Sequence, residues 1–332
     1  MAYHPKPPRT LIVGHRWPSA ALLGASMLLC RTGRAGSPPP ELGYDYQAIE
    51  SARTTAMGGA QRALASSTEG LWINPAGMAA ARVYHVGALA QFWPEAGRQT
   101  YGAAAVDSIV SASHLAGGLG ATWNRQDPDG IDRRWTDVRF ALAYPFSQQF
   151  MVGIGGRYLS LRQDGLGPLG FSYASGGLKG ENIVHGFGLD AGVQIRPSEN
   201  LSLGFVANNL NSPDNGFQPT SFGGGASLGN RMVAVEVDAE TDVTTWSRTT
   251  WRGMGGISAL LGDKLGLQGG YRYDEGPHAH ALSLGVGYLD RSFSIELGGR
   301  RTVTGPAVTA ITIDLRYFVE SSGLTPAPSE SF

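Results

Sequence analysis

The sequence has few long apolar runs, and that shortage is the first constraint on its class. The chain has 332 residues, of which 42% are hydrophobic and 16% are charged. After its N-terminal stretch, no apolar run approaches the roughly 18–20 residues that a spanning helix needs. Neither sign of charge dominates, because 26 basic residues stand against 27 acidic ones. These shortages exclude a helical membrane bundle and provide no basic patch for a nucleic-acid partner.

Cysteine is almost absent, and the single one lies close to the N-terminus. Basic residues and the apolar stretch 18–29 precede Cys30, and small residues follow it. This order is typical of a secretory signal peptide, so we predict a signal peptide over residues 1–36 and a linker over 37–43. An uncleaved anchor and lipid attachment to Cys30 are the alternatives, although Leu29 stands where lipoprotein signals carry a small residue. Cleavage after Cys30 would leave a mature protein that forms no disulfide.

The rest of the chain is rich in glycine and in short alternating segments. There are 48 Gly without a collagen period, and residues 83–318 contain about fourteen segments in which apolar and polar residues alternate. Short connections such as 196–200 and 289–292 alternate with long ones such as 162–181 and 274–279. Outer-membrane barrels sort their loops in this way. We therefore predict an all-β fold, a transmembrane antiparallel β-barrel of about 14 strands.

Each predicted strand has one apolar face and one polar face. In residues 264–273, for example, Leu265 and Leu267 alternate with Lys264 and Gln268. A charge facing lipid at mid-depth costs roughly 2–4 kcal/mol, so the polar faces should line the lumen. Their charges are expected to pair with one another and with a plug, and an ion or substrate path is the alternative. The predicted polar lumen residues are Arg157, Asp190, Gln194, Glu236, Asp238, Lys264, Gln268, Arg272, Glu296, Arg300, Asp314 and Arg316.

Residues 44–82 do not alternate like the strands. Their composition suits short helical pieces, broken at Gly58 and Gly59. A barrel of about fourteen strands has a lumen too wide for side chains alone to fill. We therefore predict that residues 44–82 form an N-terminal helical hatch inside the lumen. Residues 319–332 are predicted to be a polar tail.

Two blocks of this segment resemble a known family. The blocks are Ala52-Arg-Thr-Thr-Ala-Met-Gly-Gly-Ala60 and Trp72-Ile-Asn-Pro-Ala-Gly-Met78. Together they resemble the hatch of the FadL-like outer-membrane superfamily, which includes the long-chain fatty-acid transporters and the PorV/PorQ group. Residues 66–69 depart from the acidic stretch of many relatives, so contacts made by those acids do not carry over. The matching hatch and gate positions are Arg53, Met57, Gly58, Gly59, Asn74, Pro75, Ala76 and Gly77.

The resemblance implies a location and a function. It implies passage of small hydrophobic, fatty-acid-like molecules across the outer membrane of a Gram-negative bacterium through a hatch-gated lumen. An even strand number places both termini in the periplasm. A second group of the superfamily implies an alternative: a non-transporting barrel that docks or anchors secreted proteins, or belongs to an envelope secretion or motility complex. Candidate ligand-access residues in the outer loops, for which interfacial anchoring is the alternative role, are Trp93, Phe171, Tyr173 and Phe217.

Catalytic, cofactor and metal signatures are missing from the sequence. The Gly-x-Ser-x-Gly match at residues 225–229 precedes a predicted turn and strand, whereas a nucleophile elbow needs a following helix. No Cys or third His accompanies His278 and His280. We therefore expect no enzymatic activity, no cofactor and no metal. The expected partners are outer-membrane lipid, small hydrophobic molecules, and secreted or envelope proteins at the outer loops.

Overall fold

A closed barrel is the dominant feature of the protein. The computed structural model describes residues 49–109, 114–127, 132–164, 182–213, 215 and 217–320. Within them, fourteen strands follow one another around the barrel, and the last strand pairs antiparallel with the first. The predicted fold class is confirmed. The predicted signal peptide and linker, and all but the first two residues of the predicted polar tail, lie outside the described residues.

The strands alternate in direction, and their backbone groups bond from strand to strand, as a hydrocarbon environment requires. Outward-facing side chains such as Leu119, Ile154 and Leu284 are apolar and at least 60% exposed. The strands are β1 Tyr84–Trp93, β2 Arg98–Asp107, β3 Ala116–Gln126, β4 Arg133–Ser147, β5 Phe150–Gln163, β6 Asn182–Ser198, β7 Leu201–Asn208, β8 Ser221–Gly229, β9 Val233–Asp242, β10 Thr250–Leu261, β11 Leu265–Asp274, β12 Ala279–Leu289, β13 Phe293–Thr304 and β14 Thr309–Phe318.

The two ends of the barrel differ in their connections. We call the end where β1 begins and β14 finishes the terminal end, and the opposite end the loop end. Turns such as 199–200 and 262–264 keep the terminal end tight, whereas 164–181 and 209–220 connect strands at the loop end. The prediction of a long connection after Asp274 is wrong. The β11–β12 hairpin closes in a tight turn, in which the His278 amide donates to the Glu275 carbonyl at 3.3 Å.

Three short helical pieces precede the barrel strands: α1 Ala52–Ala56, α2 Ser67–Ile73 and the 3₁₀ helix η1 Pro75–Ala79. Ser51 caps α1 by accepting the Thr54 amide at 3.1 Å. The chain turns away after α1 at Gly58 and Gly59, whose φ angles are 72° and 94°. None of the described helices is long and apolar enough to cross a membrane.

Candidate functional site: a plugged lumen

The helical segment lies inside the barrel. We call residues 49–80 the hatch. Helix α1 contacts β11 to β14, α2 contacts β1 to β4, and η1 contacts β3 to β6, so the hatch spans the lumen from wall to wall. Met57, Ala60 and Met78 are fully buried there. The three pieces therefore fill the space that side chains of the strands cannot reach.

Glycines on the lumen face of the strands bring the hatch backbone directly against the wall. A Cβ atom at Gly298 would overlap the Ala52 carbonyl, and one at Gly153 would overlap the Ala76 amide nitrogen. A Cβ at Gly270 would likewise overlap the Met57 backbone. Part of the glycine excess thus has a structural use, because only a residue without a side chain permits this close approach. The hatch backbone comes equally close at Gly204 and Gly256, and hatch side chains do so at Gly192 and Gly285.

Glu50 ties the start of the hatch to two arginines of the wall. Its carboxylate accepts from Arg272 at 3.2 Å and from Arg300 at 2.5 Å. Burial by itself raises the pKa of Glu50, but the nearby guanidinium groups outweigh burial and lower that pKa to about 2. Glu50 is therefore ionised when the hatch is seated, and it joins α1 to β11 and β13.

Strand β9 holds the middle of the hatch through its carboxylates. Arg62 pairs with Asp238 at 3.2 Å and with Glu240 at 2.6 Å. Asp238 also accepts the backbone amides of Gln61 and Arg62, both at 2.9 Å, and Glu236 accepts the Ala63 amide at 2.6 Å. Charge-assisted bonds of this kind are the stronger class of protein hydrogen bonds. They hold a hatch turn that has few intrahelical bonds of its own.

Glu69 connects two parts of the hatch to the last strand. Its carboxylate accepts from Arg316 at 2.9 Å, from Gln61 at 2.8 Å and from Ser51 at 3.2 Å. Burial raises its pKa, but Arg316 and Arg53 lower it by more, so the net shift is downward. Sequence reasoning missed Glu50, Arg62 and Glu69 as site residues. The hatch sequence has no regular alternation of polar and apolar residues that would mark an inward-facing charge. The strand residues that pair with Glu50, Arg62 and Glu69 could be predicted because they lie on alternating strands.

The Asn-Pro-Ala-Gly block anchors the hatch to β5 and β6. Asn74 is fully buried. Its side-chain oxygen accepts the Ala76 amide at 3.2 Å, and its side-chain nitrogen donates to the Arg62 and Val193 carbonyls at 2.9 and 3.2 Å. Pro75 packs against β5 and β6 where Gly153 and Gly192 leave room. A gating role for this block remains a proposal, but its members lie at the hatch–wall contact.

The remaining predicted hatch residues lie at the opposite wall. Met57 rests on Gly256 and Gly270, and Gly58 lies against the Tyr271 backbone. Arg53 is half-buried and close enough to Glu69 to lower the pKa of that carboxyl. The first matching block therefore contacts β10 and β11, while the second contacts β5 and β6.

Most of the predicted polar lumen residues are buried or half-buried on the inner wall. Arg157, for instance, is 2% exposed and pairs with Asp137. The prediction is wrong for Lys264. It precedes β11 in the turn at the terminal end, it is exposed, and its ammonium lies 3.7 Å from Asp290. The prediction extended the alternation of polar and apolar residues one residue too far, into the turn. Outside the pleated strand, residue parity no longer determines which side of the wall a side chain faces. The inward set comprises Arg157, Asp190, Gln194, Glu236, Asp238, Gln268, Arg272, Glu296, Arg300, Asp314 and Arg316.

Two of the proposed access residues, Trp93 and Phe217, pack in apolar clusters inside the loop end. Trp93 was expected in a loop, but it ends β1 and packs inward against Ala96 and Ala310. The structure corrects the expected position because Trp93 shares the inward parity of Gln91. Phe217 packs against the second cluster, while Phe171 and Tyr173 lie outside the described residues. That cluster consists of Trp135, Leu159, Leu161 and Val184.

Arg98 joins the two clusters. Its guanidinium carbon lies 4.0 Å from the Trp93 ring centroid and 4.9 Å from that of Trp135, within cation–π range. Sequence reasoning missed Leu159 and Leu161. The available signal was apolar residues at the same strand parity as inward-facing Arg157.

Two cavities of unequal size adjoin the hatch. A small cavity of about 70 Å³ remains between the hatch and the wall, bounded by Glu50, Arg62, Arg139, Arg157 and Arg252 among others. A larger cavity of about 1120 Å³ opens at the terminal end. Within the part of the chain that the structure describes, no group of three or more His, Cys, Asp or Glu is arranged to hold a metal ion.

Acidification is expected to unseat the hatch only well below neutral pH. Glu50 has an ordinary pKa of 4.5 and a pKa of about 2 when seated. Unseated Glu50 therefore binds protons more readily, so its contribution to seating is complete above about pH 4.5 and falls as pH drops toward 2. The shift corresponds to about 3 kcal/mol. Planar-bilayer recordings should show a silent protein at about pH 7 and currents that appear below about pH 4.

A matched pair of variants isolates Glu50 from the other acids. Glu50→Gln removes the charge between Arg272 and Arg300, and should produce currents already at neutral pH. Glu199→Gln, in an exposed turn at the terminal end, should behave as the parent does. A silent Glu50→Gln protein with the parent's pH response would contradict the assignment.

Comparison with known proteins identifies the fold. No protein-family profile and no curated protein matches the chain. The toluene transporter TbuX of Ralstonia pickettii matches with a TM-score of 0.61 and 13% identity, covering 83% of this chain and 99% of that chain. The CymD monoaromatic hydrocarbon channel matches with a TM-score of 0.59 and 15% identity, covering 81% and 96%. The toluene transporter TodX of Pseudomonas putida matches with a TM-score of 0.58 and 13% identity, covering 81% and 97%.

These similarities establish a shared fold. They agree with the transmembrane β-barrel fold class that was predicted from the sequence. The matched structures are transporters and channels rather than enzymes.

Proposed function

We propose that this chain is an outer-membrane barrel that passes small hydrophobic molecules across the membrane. Both termini of the barrel would face the periplasm, and the loop end would face outward. The proposal is carried by the apolar cluster of Trp135, Leu159 and Leu161, because these side chains point into the lumen at the loop end and their cluster contains no hatch residue. A polar lumen has no structural need for them, whereas a hydrophobic ligand is stabilised by such contacts.

The order of features along the barrel supports a path. The apolar clusters lie at the loop end, the hatch follows, and the larger cavity lies at the terminal end. Passage requires movement of the hatch, since it fills the lumen between them. The hatch is bound by ion pairs and close backbone contacts rather than by covalent links, so a local shift can open a path without unfolding the barrel.

Uptake of toluene by intact Gram-negative cells tests the proposal. The cells carry a cytoplasmic toluene-degrading enzyme as a sink, so the rate of toluene loss at low concentration reports passage across the outer membrane. Expression of the chain should raise this rate. Permeabilising the outer membrane should abolish the difference, which serves as the control. Equal rates with and without the chain in intact cells would contradict transport.

A matched pair of aromatic variants locates the path. Phe217→Ala removes an aromatic that packs on the inner cluster and should lower the rate by about threefold to tenfold. Phe222→Ala removes an aromatic that faces outward from β8 and should leave the rate unchanged. Equal effects of the two changes would place the path elsewhere.

A second candidate function is a barrel that docks secreted or envelope proteins at its loop end. The observation that favours it is the dense ion pairing of the lumen, in which Glu50, Arg62 and Glu69 hold the hatch closed. A docking barrel needs a sealed lumen and no path. Unchanged toluene uptake, together with a stoichiometric protein partner that co-purifies with the chain, would favour this function over transport.

A further inference from the structure

One lumen-facing arginine lies beside the large cavity without a carboxylate partner. Arg196 shares the inward parity of Gln194 on β6. Its Nη1 donates to the Ala80 carbonyl at 3.0 Å, and its buried Nε has no hydrogen-bond partner. Among the residues that the structure describes, no Asp or Glu pairs with it. Keeping a partly buried charge without a counter-ion is costly, so Arg196 differs from the ion-paired arginines of the lumen.

The other inward arginines show what Arg196 lacks. Six of them each have a carboxylate within ion-pair distance, as expected for ions removed from water. The pairs are Arg139 and Arg157 with Asp137, Arg252 with Asp274, Arg272 and Arg300 with Glu50, and Arg316 with Glu69.

The cavity beside Arg196 has the size of a ligand site. Its volume of about 1120 Å³ is slightly larger than the roughly 300–1,000 Å³ of typical small-molecule pockets. Among the residues that the structure describes, its wall is basic, with Arg82 and Arg231 besides Arg196, and Glu199 is the one acid that lines it. It is also partly apolar, because Leu64, Ala79, Pro145, Met151 and Ala234 line it. The same cavity therefore has both positively charged and apolar side chains on its wall.

We propose that this cavity binds a monocarboxylate with a short apolar body, and that Arg196 holds the carboxylate. A guanidinium offers parallel N–H donors that match a carboxylate. One unpaired Arg balances a single negative charge. Arg82 already donates to the Ile109 carbonyl and contacts His114, and Arg231 lies exposed near Asp263. These engagements favour a carboxylate over a phosphate dianion, which would need a second free cation.

The site adds an anionic ligand class at the terminal end. Binding of a carboxylate at this site does not depend on the proposed transport function. Only the role of the site, as a place where a ligand binds before it leaves the lumen, rests on that function. Binding is measured at equilibrium and without transport, so failure of binding and failure of uptake are distinguishable.

Fluorine NMR of para-fluorobenzoate with the full chain in nanodiscs tests the proposal. Saturable line broadening is expected for this carboxylate, with much weaker effects for para-fluorobenzyl alcohol, which has the same ring and no charge. Inorganic phosphate should compete poorly. Equal binding of the alcohol would overturn carboxylate recognition. Strong competition by phosphate would also overturn the proposal, because it would identify a phosphate rather than a carboxylate as the ligand.

Two arginine variants locate the binding. Arg196→Gln keeps an amide that can donate to the Ala80 carbonyl but removes the charge, and should weaken para-fluorobenzoate binding by about tenfold or more. Arg291→Gln, at an exposed arginine in a turn of the same barrel end and outside the lining of the cavity, should change affinity by less than about twofold. Arg196→Lys should restore part of the affinity. Unchanged affinity in an Arg196→Gln protein that retains its heat-dependent gel shift would overturn the assignment.

Discussion

Deletion of residues 49–80 is expected to convert a silent barrel into a conducting pore. The hatch fills the lumen, and its removal leaves a ring of fourteen strands whose inner face carries many charged and polar side chains. Barrels of this width enclose water when nothing plugs them. Arg272, Arg300 and Arg316 would lose their hatch carboxylates, and Asp238 would lose Arg62. The exposed charges would keep the lumen hydrated.

Planar-bilayer recordings measure this effect. The intact protein should be silent at neutral pH, and the deletion variant should give a continuous current. Loss of the barrel itself is the main confounding result. A heat-dependent gel shift and a β-type circular dichroism spectrum must therefore be retained by the variant. A correctly folded deletion variant that stays silent would show that the hatch is not the plug.

Replacement of Gly298 by valine is expected to unseat the hatch, while the same change at Gly299 is not. A side chain at Gly298 would overlap the Ala52 carbonyl of the hatch. At Gly299 the nearest atom to an added Cβ is a wall carbonyl at 3.9 Å, which is ordinary contact. Forcing atoms into packed space costs about 1–3 kcal/mol or more. The seated state of Gly298→Val should therefore weaken by about tenfold to a hundredfold.

The neighbouring positions make a matched pair. Both glycines lie in β13, so the two variants have the same strand propensity and the same change of composition. Gly298→Val should conduct intermittently in bilayers, and Gly299→Val should be as silent as the parent. Gly270→Val and Gly269→Val repeat the comparison on β11. A Cβ at Gly270 would overlap the Met57 backbone, whereas the nearest atom to one at Gly269 lies at an ordinary contact distance of 3.8 Å. Equal conductance within each pair would contradict a seat built from close backbone approach.

The ion pairs of the lumen specify where the hatch rests. A buried ion pair contributes little net stability, because desolvation offsets most of the attraction between its charges. Removing one partner is nevertheless costly, because the other charge is left buried and unpaired. Glu50 contacts β11 and β13, Arg62 contacts β9, and Glu69 contacts β14. Moving the hatch as a unit would strand several charges at once. A shift confined to the η1 side, where Asn74 makes neutral hydrogen bonds, breaks no ion pair of these three.

Alternation made the barrel predictable from the sequence. Strand side chains have a strict period of two, and lipid admits only apolar residues, so β11 and β14 could be assigned to faces residue by residue. The prediction was wrong where the pleat ends, at Lys264, and where a tight turn replaces a long loop, at residues 275–278. Turn geometry depends on local backbone angles that a polarity pattern does not encode.

The sequence by itself determined a glycine-rich, strand-alternating barrel with a helical segment before it, because these features follow from local periodicity and composition. Only the tertiary structure decided how that segment is held. Glu50 and Arg300 are far apart in the chain, as are Ala52 and Gly298, and closure of the barrel brings each pair together. The position of Arg196 beside a cavity was likewise decided by closure. Long-range contacts of this kind carry no period, so no local pattern reports them.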